Sequence, residues 1–209
     1  PQLIRTVLQT ENQYSKGAEA WAKLCQHIAV IARGEFVAFC EGDDYWHDPL
    51  KIHKQVAIMR ADSTISLATS DIDVLHQKTR RLVKSVFQRT NNVPKKNEDF
   101  TFGLLTRKYI FITCTFLLRT SEYRHIIESE VYAFSGRWPF GDTQLMLECS
   151  RLGRIHFDGE SLATYRKLEE SASNSSKPEH HARNIVALLE CTEYYARKFG
   201  YGDNVTRVS

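Results

Sequence analysis

Three carboxylates fall within four residues at Glu41, Asp43 and Asp44, in the stretch Glu41-Gly42-Asp43-Asp44-Tyr45-Trp46-His47-Asp48-Pro49. Crowding anionic side chains costs free energy unless a cation or hydrogen-bond donors compensate. Hard oxygen ligands of this kind suit Mg2+ or Mn2+, which commonly bridge one or two carboxylates to phosphate oxygens. The alternative is a solvated acidic turn. For Asp48 and Pro49 that simpler reading holds, with Asp48 capping a helix whose first residue is Pro49. The histidines at 47, 53, 180 and 181 lack carboxylate or cysteine partners at zinc-site spacing and read as surface or interface residues.

A second acidic position follows the turn-rich run Gly136-Arg137-Trp138-Pro139-Phe140-Gly141, where Asp142 sits at the start of a helix with Leu145, Met146, Leu147 and Leu152 as its apolar stripe. On spacing alone Asp142 is a helix cap. Farther on, Arg166 offers a fork of donors that an ordinary surface ion pair would use. Trp46, Tyr45 and Trp138 lie beside the two acidic sites. An aromatic there can stack on a sugar ring, while the more frequent role of such residues is partly buried core.

These positions need elements to hold them. Residues 3–9 alternate as a strand does, and Trp21, Leu24, Ile28 and Ile31 recur at helical spacing within 15–33, ahead of Gly34. The apolar run 36–40 then predicts a strand covered on both faces, as in a parallel sheet. Glu41, Asp43 and Asp44 therefore come at the carboxyl end of a strand, where open α/β sheets bind ligands. A short helix over 97–105, a strand over 109–118 with Thr113 and Thr115 opposite Cys114, and a helix over 180–199 with Ile185, Leu188, Leu189, Ala196 and Phe199 on one face complete the pattern. Residues 74–97 contain no Asp or Glu but seven Lys or Arg, which reads as a solvated hairpin flank or as contact with an anionic acceptor or leaflet. The polar run 174–179 reads as a linker.

The stretches Glu11-Asn12-Gln13-Tyr14-Ser15-Lys16-Gly17, Gly34-Glu35-Phe36-Val37-Ala38, Cys40-Glu41-Gly42-Asp43-Asp44-Tyr45-Trp46 and Asp48-Pro49-Leu50-Lys51 resemble bacterial family 2 glycosyltransferases of the GT-A fold. The resemblance implies that Asp44 binds a divalent cation, Mn2+ or Mg2+, bridging the diphosphate of a nucleotide-sugar donor, a UDP-sugar in many members. It implies that Asp43, Glu41 and Arg166 lie along that donor, and that Asp142 is the general base for the acceptor hydroxyl. The family's Tyr-Arg-x-His-x-x-Ser-x-Ser segment is similar to 165–173, with Leu168 in place of the His. A leucine can neither ligate a metal nor donate to phosphate. The family's first base-binding strand and its aspartate loop have no counterpart after Pro1, so the resemblance implies an N-terminally truncated catalytic domain.

The expected fold class is α/β: a GT-A-like, Rossmann-like mixed sheet flanked by helices, lacking its first nucleotide-binding strands. Residues 1–173 form the partial transferase domain, and 174–209 a linker plus a helix docked on it. The implied activity is inverting transfer of a sugar to a hydroxyl of a glycan or lipid-linked glycan, in bacterial surface polysaccharide assembly, with Trp46 and Trp138 as acceptor-side aromatics. The alternative is a non-catalytic carbohydrate-binding or assembly subunit. The C-terminal helix can also serve a homodimer or peripheral membrane contact.

The 209-residue composition agrees with an ordinary globular chain: 42% hydrophobic, 25% charged, net charge +3. That charge gives no argument for nucleic acid as partner. No apolar run reaches the roughly 20 residues of a membrane span. Five cysteines without CxxC spacing read as free thiols of a reducing compartment, hence a cytoplasmic location, at the inner face of the membrane if the acceptor is lipid-linked.

Overall fold

The computed structural model describes residues 6–8, 10–11, 18–94, 99–129, 138, 141–169 and 178–202. In chain order the elements are α1 (Ala18–Ile31), β1 (Phe36–Ala38), β2 (Tyr45–Trp46), α2 (Lys51–Ala61), β3 (Ile65–His76), β4 (Arg81–Val83), α3 (Val86–Arg89), α4 (Phe100–Leu105), a 3-10 turn (Thr113–Thr115), β5 (Leu117–Arg119), α5 (Thr120–Glu128), α6 (Gly141–Leu152), β6 (Arg154–Lys167) and α7 (Pro178–Lys198). The architecture is mixed α/β, with one six-stranded sheet ordered β1-β5-β3-β6-β2 and β4 paired to β3.

The long strands β3 and β6 run parallel from Ile65 and Arg154 to His76 and Lys167. Among the described residues every other pairing is antiparallel. As expected of a strand covered on both faces, β3 is buried without alternation from Ile65 to Asp73. Its polar residues are satisfied internally: Ser66 Oγ donates to Cys149 O at 2.7 Å, and Thr69 Oγ1 meets Thr115 Oγ1 at 2.6 Å. Asp71 accepts from the amides of Ile72, Phe87 and Gln88, and Asp73 from the Ser85 amide and the Ser161 hydroxyl. These two buried carboxylates therefore anchor the start of α3 to the sheet. Gly153, between α6 and β6, lies so close to Thr64 that an added Cβ would come within 2.4 Å of the Thr64 carbonyl oxygen. That approach lets α6 turn directly into the central strand.

The structure revises several expectations. The apolar run at 36–40 forms only the three-residue β1, half-buried and paired to β5 alone, so it is an antiparallel edge strand. Residues 6–8 are not a strand, and the rest of 3–9 lies outside the described residues. In α1 the buried face is Ala22, Cys25 and Ala29, while Ile28 and Val30 are exposed. Small residues face inward because α5 packs close there, and Arg124 donates to the carbonyls of Ala29 and Ala32 at the helix end. The 109–118 strand reduces to β5, with Thr113, Cys114 and Thr115 in the tight turn before it. Asp48 is not the cap of α2. Its Oδ1 accepts from the Leu50 amide at 2.7 Å in a turn, and α2 begins at Lys51 with Leu50 as N-cap.

The basic stretch contains a β3–β4 hairpin, in register Val74↔Val83 to His76↔Arg81. Asp99 caps α4 by accepting from the Phe102 amide at 3.0 Å. The linker expected at 174–179 falls mainly on residues outside the description, and Pro178 and Glu179 already belong to α7. Along α7 the buried residues are Cys191, Tyr195 and Ala196, whereas Ile185 and Leu189 are exposed. No helix among the described residues is long and apolar enough to cross a membrane.

Candidate functional site

The acidic loop leaves edge strand β1 and re-enters the sheet as β2, so both of its ends are fixed. Within it the Asp44 amide donates to Glu41 O at 3.0 Å, closing a turn over Gly42 and Asp43. β2 pairs Tyr45 with Thr164 and Trp46 with Ala163. This brings Asp44 beside Arg166, whose amide donates to Asp44 Oδ1 at 2.9 Å. The Arg166 guanidinium closes on the same loop, Nε donating to the Asp43 carbonyl and Nη2 to the Gly42 carbonyl at 3.3 Å. Its fork therefore grips main-chain oxygens here, which shapes the turn.

Behind the loop stands the 3-10 turn. Cys114 is fully buried. One ligand atom from each of Glu41, Asp44 and Cys114 lies within 4.8 Å of the other two. Protein packed around the Asp44 carboxyl pushes its pKa up, against the Arg166 amide, and the charge of Asp43 adds to the rise. The Glu41 carboxyl is likewise raised by desolvation and then by the charges of Asp44 and Asp142. Two carboxylates and a thiol at this separation supply a donor set that fits a divalent cation.

Asp142 stands in the first turn of α6, half-buried, with its own Oδ1 accepting from the Thr143 amide at 2.7 Å. That bond comes from the next residue's amide and from within the helix, so Asp142 is not the cap that its spacing predicts. Desolvation raises its pKa, and the nearby Arg107 charge opposes that rise. Arg107 is not foreseen from the sequence. It follows α4 with a positive φ of 59°, a backbone state that glycine or asparagine would have signalled, so no local motif marks it.

Trp46 and Trp138 divide. Trp46 is 37% exposed, donates from Nε1 to the carbonyls of Phe39 and Cys114, and carries the Lys51 ammonium 4.7 Å over its ring. It clamps β1 to the turn while leaving surface open. Trp138 is 4% exposed, with its ring 5.3 Å from that of Tyr194, and belongs to the core. The sugar-stacking expectation for Trp138 is corrected accordingly: its packing against α7 leaves almost no ring surface for a ligand. The neighbouring 130–137, 139 and 140 lie outside the described residues, as do Asn12 to Gly17 and Ser171 to Ser173 of the quoted motifs. His47 is fixed rather than free, with Nδ1 2.9 Å from Thr164 Oγ1 and Nε2 2.8 Å from Ser161 O.

An open hollow of about 460 Å³ is lined by Ile72, Val74, Phe87, Ile112, Tyr165 and Lys167 among others, and by none of the acidic residues. It is bounded by the residues flanking Arg166 on β6 and by Ile112, next to Thr113. Apolar walls with one cation at the rim suit an amphiphilic molecule.

No protein-family profile matches the chain. It is similar to uncharacterized proteins of Mycobacterium bovis and of two strains of Mycobacterium tuberculosis, each 38% identical over 77 residues. The matched stretch is 37% of this chain, and the chain covers 20% of the length of those relatives.

Proposed function

We propose that the chain carries the catalytic part of an inverting glycosyltransferase of the family 2, GT-A type, transferring a sugar from a nucleotide diphosphate donor to a hydroxyl of a glycan or lipid-linked glycan. The observation that carries the reading is the close set of Glu41 and Asp44 with Cys114 around the loop that leaves edge strand β1, each offering a ligand atom within 4.8 Å of the others. The motif order within 34–51 supports it.

In this reading Glu41 and Asp44 would hold a divalent cation, Mn2+ or Mg2+ by the resemblance, with Cys114 within reach of the same centre. Such an ion supplies charge neutralisation for the departing diphosphate. Arg166 holds the Gly42 and Asp43 carbonyls so that Asp44 is aimed before the donor arrives, which removes reorganisation from the reacting state. Asp142 takes the proton of the acceptor hydroxyl as that oxygen attacks the anomeric carbon from the side opposite the leaving group. Its desolvated carboxylate binds a proton more readily than a solvated one does, which suits a general base. The bond from the anomeric carbon to the diphosphate oxygen breaks as the new glycosidic bond forms, giving inversion.

Calorimetric titration of UDP into the chain, with and without Mn2+, tests the donor site. Binding that requires Mn2+ and is lost in Asp44→Asn supports the reading. UDP binding without sugar transfer under any donor supports the second reading, a carbohydrate-binding subunit that keeps the fold. That reading is favoured by the Arg166 fork being engaged with main-chain oxygens and by Leu168 at the family's histidine position. Absence of UDP binding in the full-length protein overturns the transferase assignment.

A further inference from the structure

We propose that Cys114 is a direct ligand in the cation centre, and that its sulfur makes the centre select Zn2+ and Co2+ over Mn2+, with Mg2+ weakest. The inference rests on the cation reading above and concerns which ion that centre takes. The motif-based expectation names only oxygen ligands, and position 168, where a histidine would have offered nitrogen, is Leu168. The structure brings a sulfur to the same place from a different element.

Three geometric facts carry it. First, the Cys114 sulfur and single oxygens of Glu41 and Asp44 lie within 4.8 Å of one another. In a tetrahedral centre, bonds of about 2.3 Å to sulfur and about 2.1 Å to oxygen set neighbouring ligands about 3.5 Å apart. The three groups therefore draw together as they close around one ion. Second, the fully buried Cys114 sulfur belongs to the same set as the Asp44 carboxylate. An ion entering between them displaces the thiol hydrogen, whose proton leaves to solvent as the sulfur–metal bond forms.

Third, the turn bearing Cys114 is held from several sides. Trp46 Nε1 donates to Cys114 O at 2.9 Å, and Gln55 Nε2 donates to Thr115 O at 2.7 Å. Thr115 Oγ1 bonds to Thr69 at 2.6 Å, and Gln55 Oε1 accepts from the buried Lys51 ammonium at 2.8 Å. Outer partners of this kind fix a ligand's direction and tune its affinity. The open side of the centre is that of the exposed Glu41. Thiolate ligation favours softer ions, and the affinity order for a mixed site rises from Mn2+ through Co2+.

The test uses Co2+ alone as the probe, followed by absorption spectroscopy, and repeated with UDP present. A sulfur-to-cobalt charge-transfer band in the near ultraviolet is expected on the wild-type chain. It should vanish in Cys114→Ser and persist in Cys40→Ser, whose thiol lies near the Asp44 main-chain carbonyl at 3.6 Å and serves as control. Competition by Zn2+ should weaken at least about tenfold in Cys114→Ser, since even outer-shell changes cost that much. The wild-type spectrum decides by itself should Cys114→Ser fail to fold. Cobalt binding that is lost in Asp44→Asn yet shows no charge-transfer band would overturn the sulfur ligand and leave the carboxylate centre standing. No cobalt binding with or without UDP would overturn the inference together with the cation reading.

Discussion

The main-chain amide of Arg166 donates to the Asp44 carboxylate at 2.9 Å while the same residue's side chain grips the carbonyls of Asp43 and Gly42. One residue of β6 thus aims the principal acid of the loop and sets the shape of the turn that presents it. Arg166→Lys keeps the amide but loses the fork, because an ammonium cannot reproduce two in-plane donors. It should weaken Co2+ or Mn2+ binding about 10- to 100-fold and leave the thermal midpoint close to that of the wild type. Calorimetry paired with a melting curve checks this, and unchanged affinity would remove Arg166 from the site.

Asp142→Asn separates base from binder. The amide side chain still accepts from the Thr143 amide, so α6 keeps its first turn, but it no longer takes a proton. Sugar transfer should fall about 10²- to 10⁴-fold with UDP affinity unchanged. A variant that retains its transfer rate would assign Asp142 to the helix start alone.

Asp71 is a structural acid. Its buried carboxylate accepts three amides, so Asp71→Ala strands donors with no access to water. The loss should be about 3 kcal/mol or more, read as a lower denaturant midpoint, with Asp71→Asn falling between. A change below half that size would mean that α3 finds other partners.

Lys51 makes a pH-dependent contribution whose sign is fixed. It is 1% exposed, and burial lowers its pKa to about 8 from the ordinary 10.5. Below pH 8 both folded and unfolded chains hold the proton, and the burial penalty is fully present. Between about 8 and 10.5 only the unfolded chain holds it, so this group adds stability as pH rises. Relative to Lys51→Met, the wild type should gain up to about 3 kcal/mol between about pH 7 and about pH 10. Parallel stability curves for the two proteins across that range would refute it.

Thiol reactivity follows burial. Cys25, Cys114, Cys149 and Cys191 are buried and Cys40 is exposed. Desolvation, with the charges of Asp44 and Glu41, raises the Cys40 pKa, so even this thiol should react slowly at neutral pH and faster as pH rises. Native alkylation followed by peptide mass spectrometry should label Cys40 alone. Labelling of Cys114 in the folded chain would show that its turn opens.

The parts of this fold that are legible in the sequence are those written in local chemistry. Helices α1, α6 and α7 carry periodic apolar residues, and the acidic loop declares itself by density of charge. The β3–β4 hairpin is anticipated by a long run without acids. The features that escape such a reading are non-local. That β1 lies at an edge, and that β3 and β6 run parallel at the centre, depends on pairings between segments almost ninety residues apart. Asp71 and Asp73 look like surface acids until the sheet buries them against α3. Cys114 reads as one more apolar-run cysteine, because the turn that aims its sulfur at Asp44 has the composition of a strand. Trp138 beside Asp142 suggests a sugar platform, and only the arrival of Tyr194 from α7 makes it core.

The bond between Asp44 and Arg166 joins residues 122 positions apart. Closing so long a loop costs entropy before any contact repays it, and long-range pairing is slow to form. The Arg166 contacts reach the acidic loop only once β6 has docked on β3, although the loop itself is made early in the chain. During synthesis the ribosome completes the loop long before it completes the strand that aims it. Ion capture in a refolding experiment would then report the last docking event rather than the first collapse.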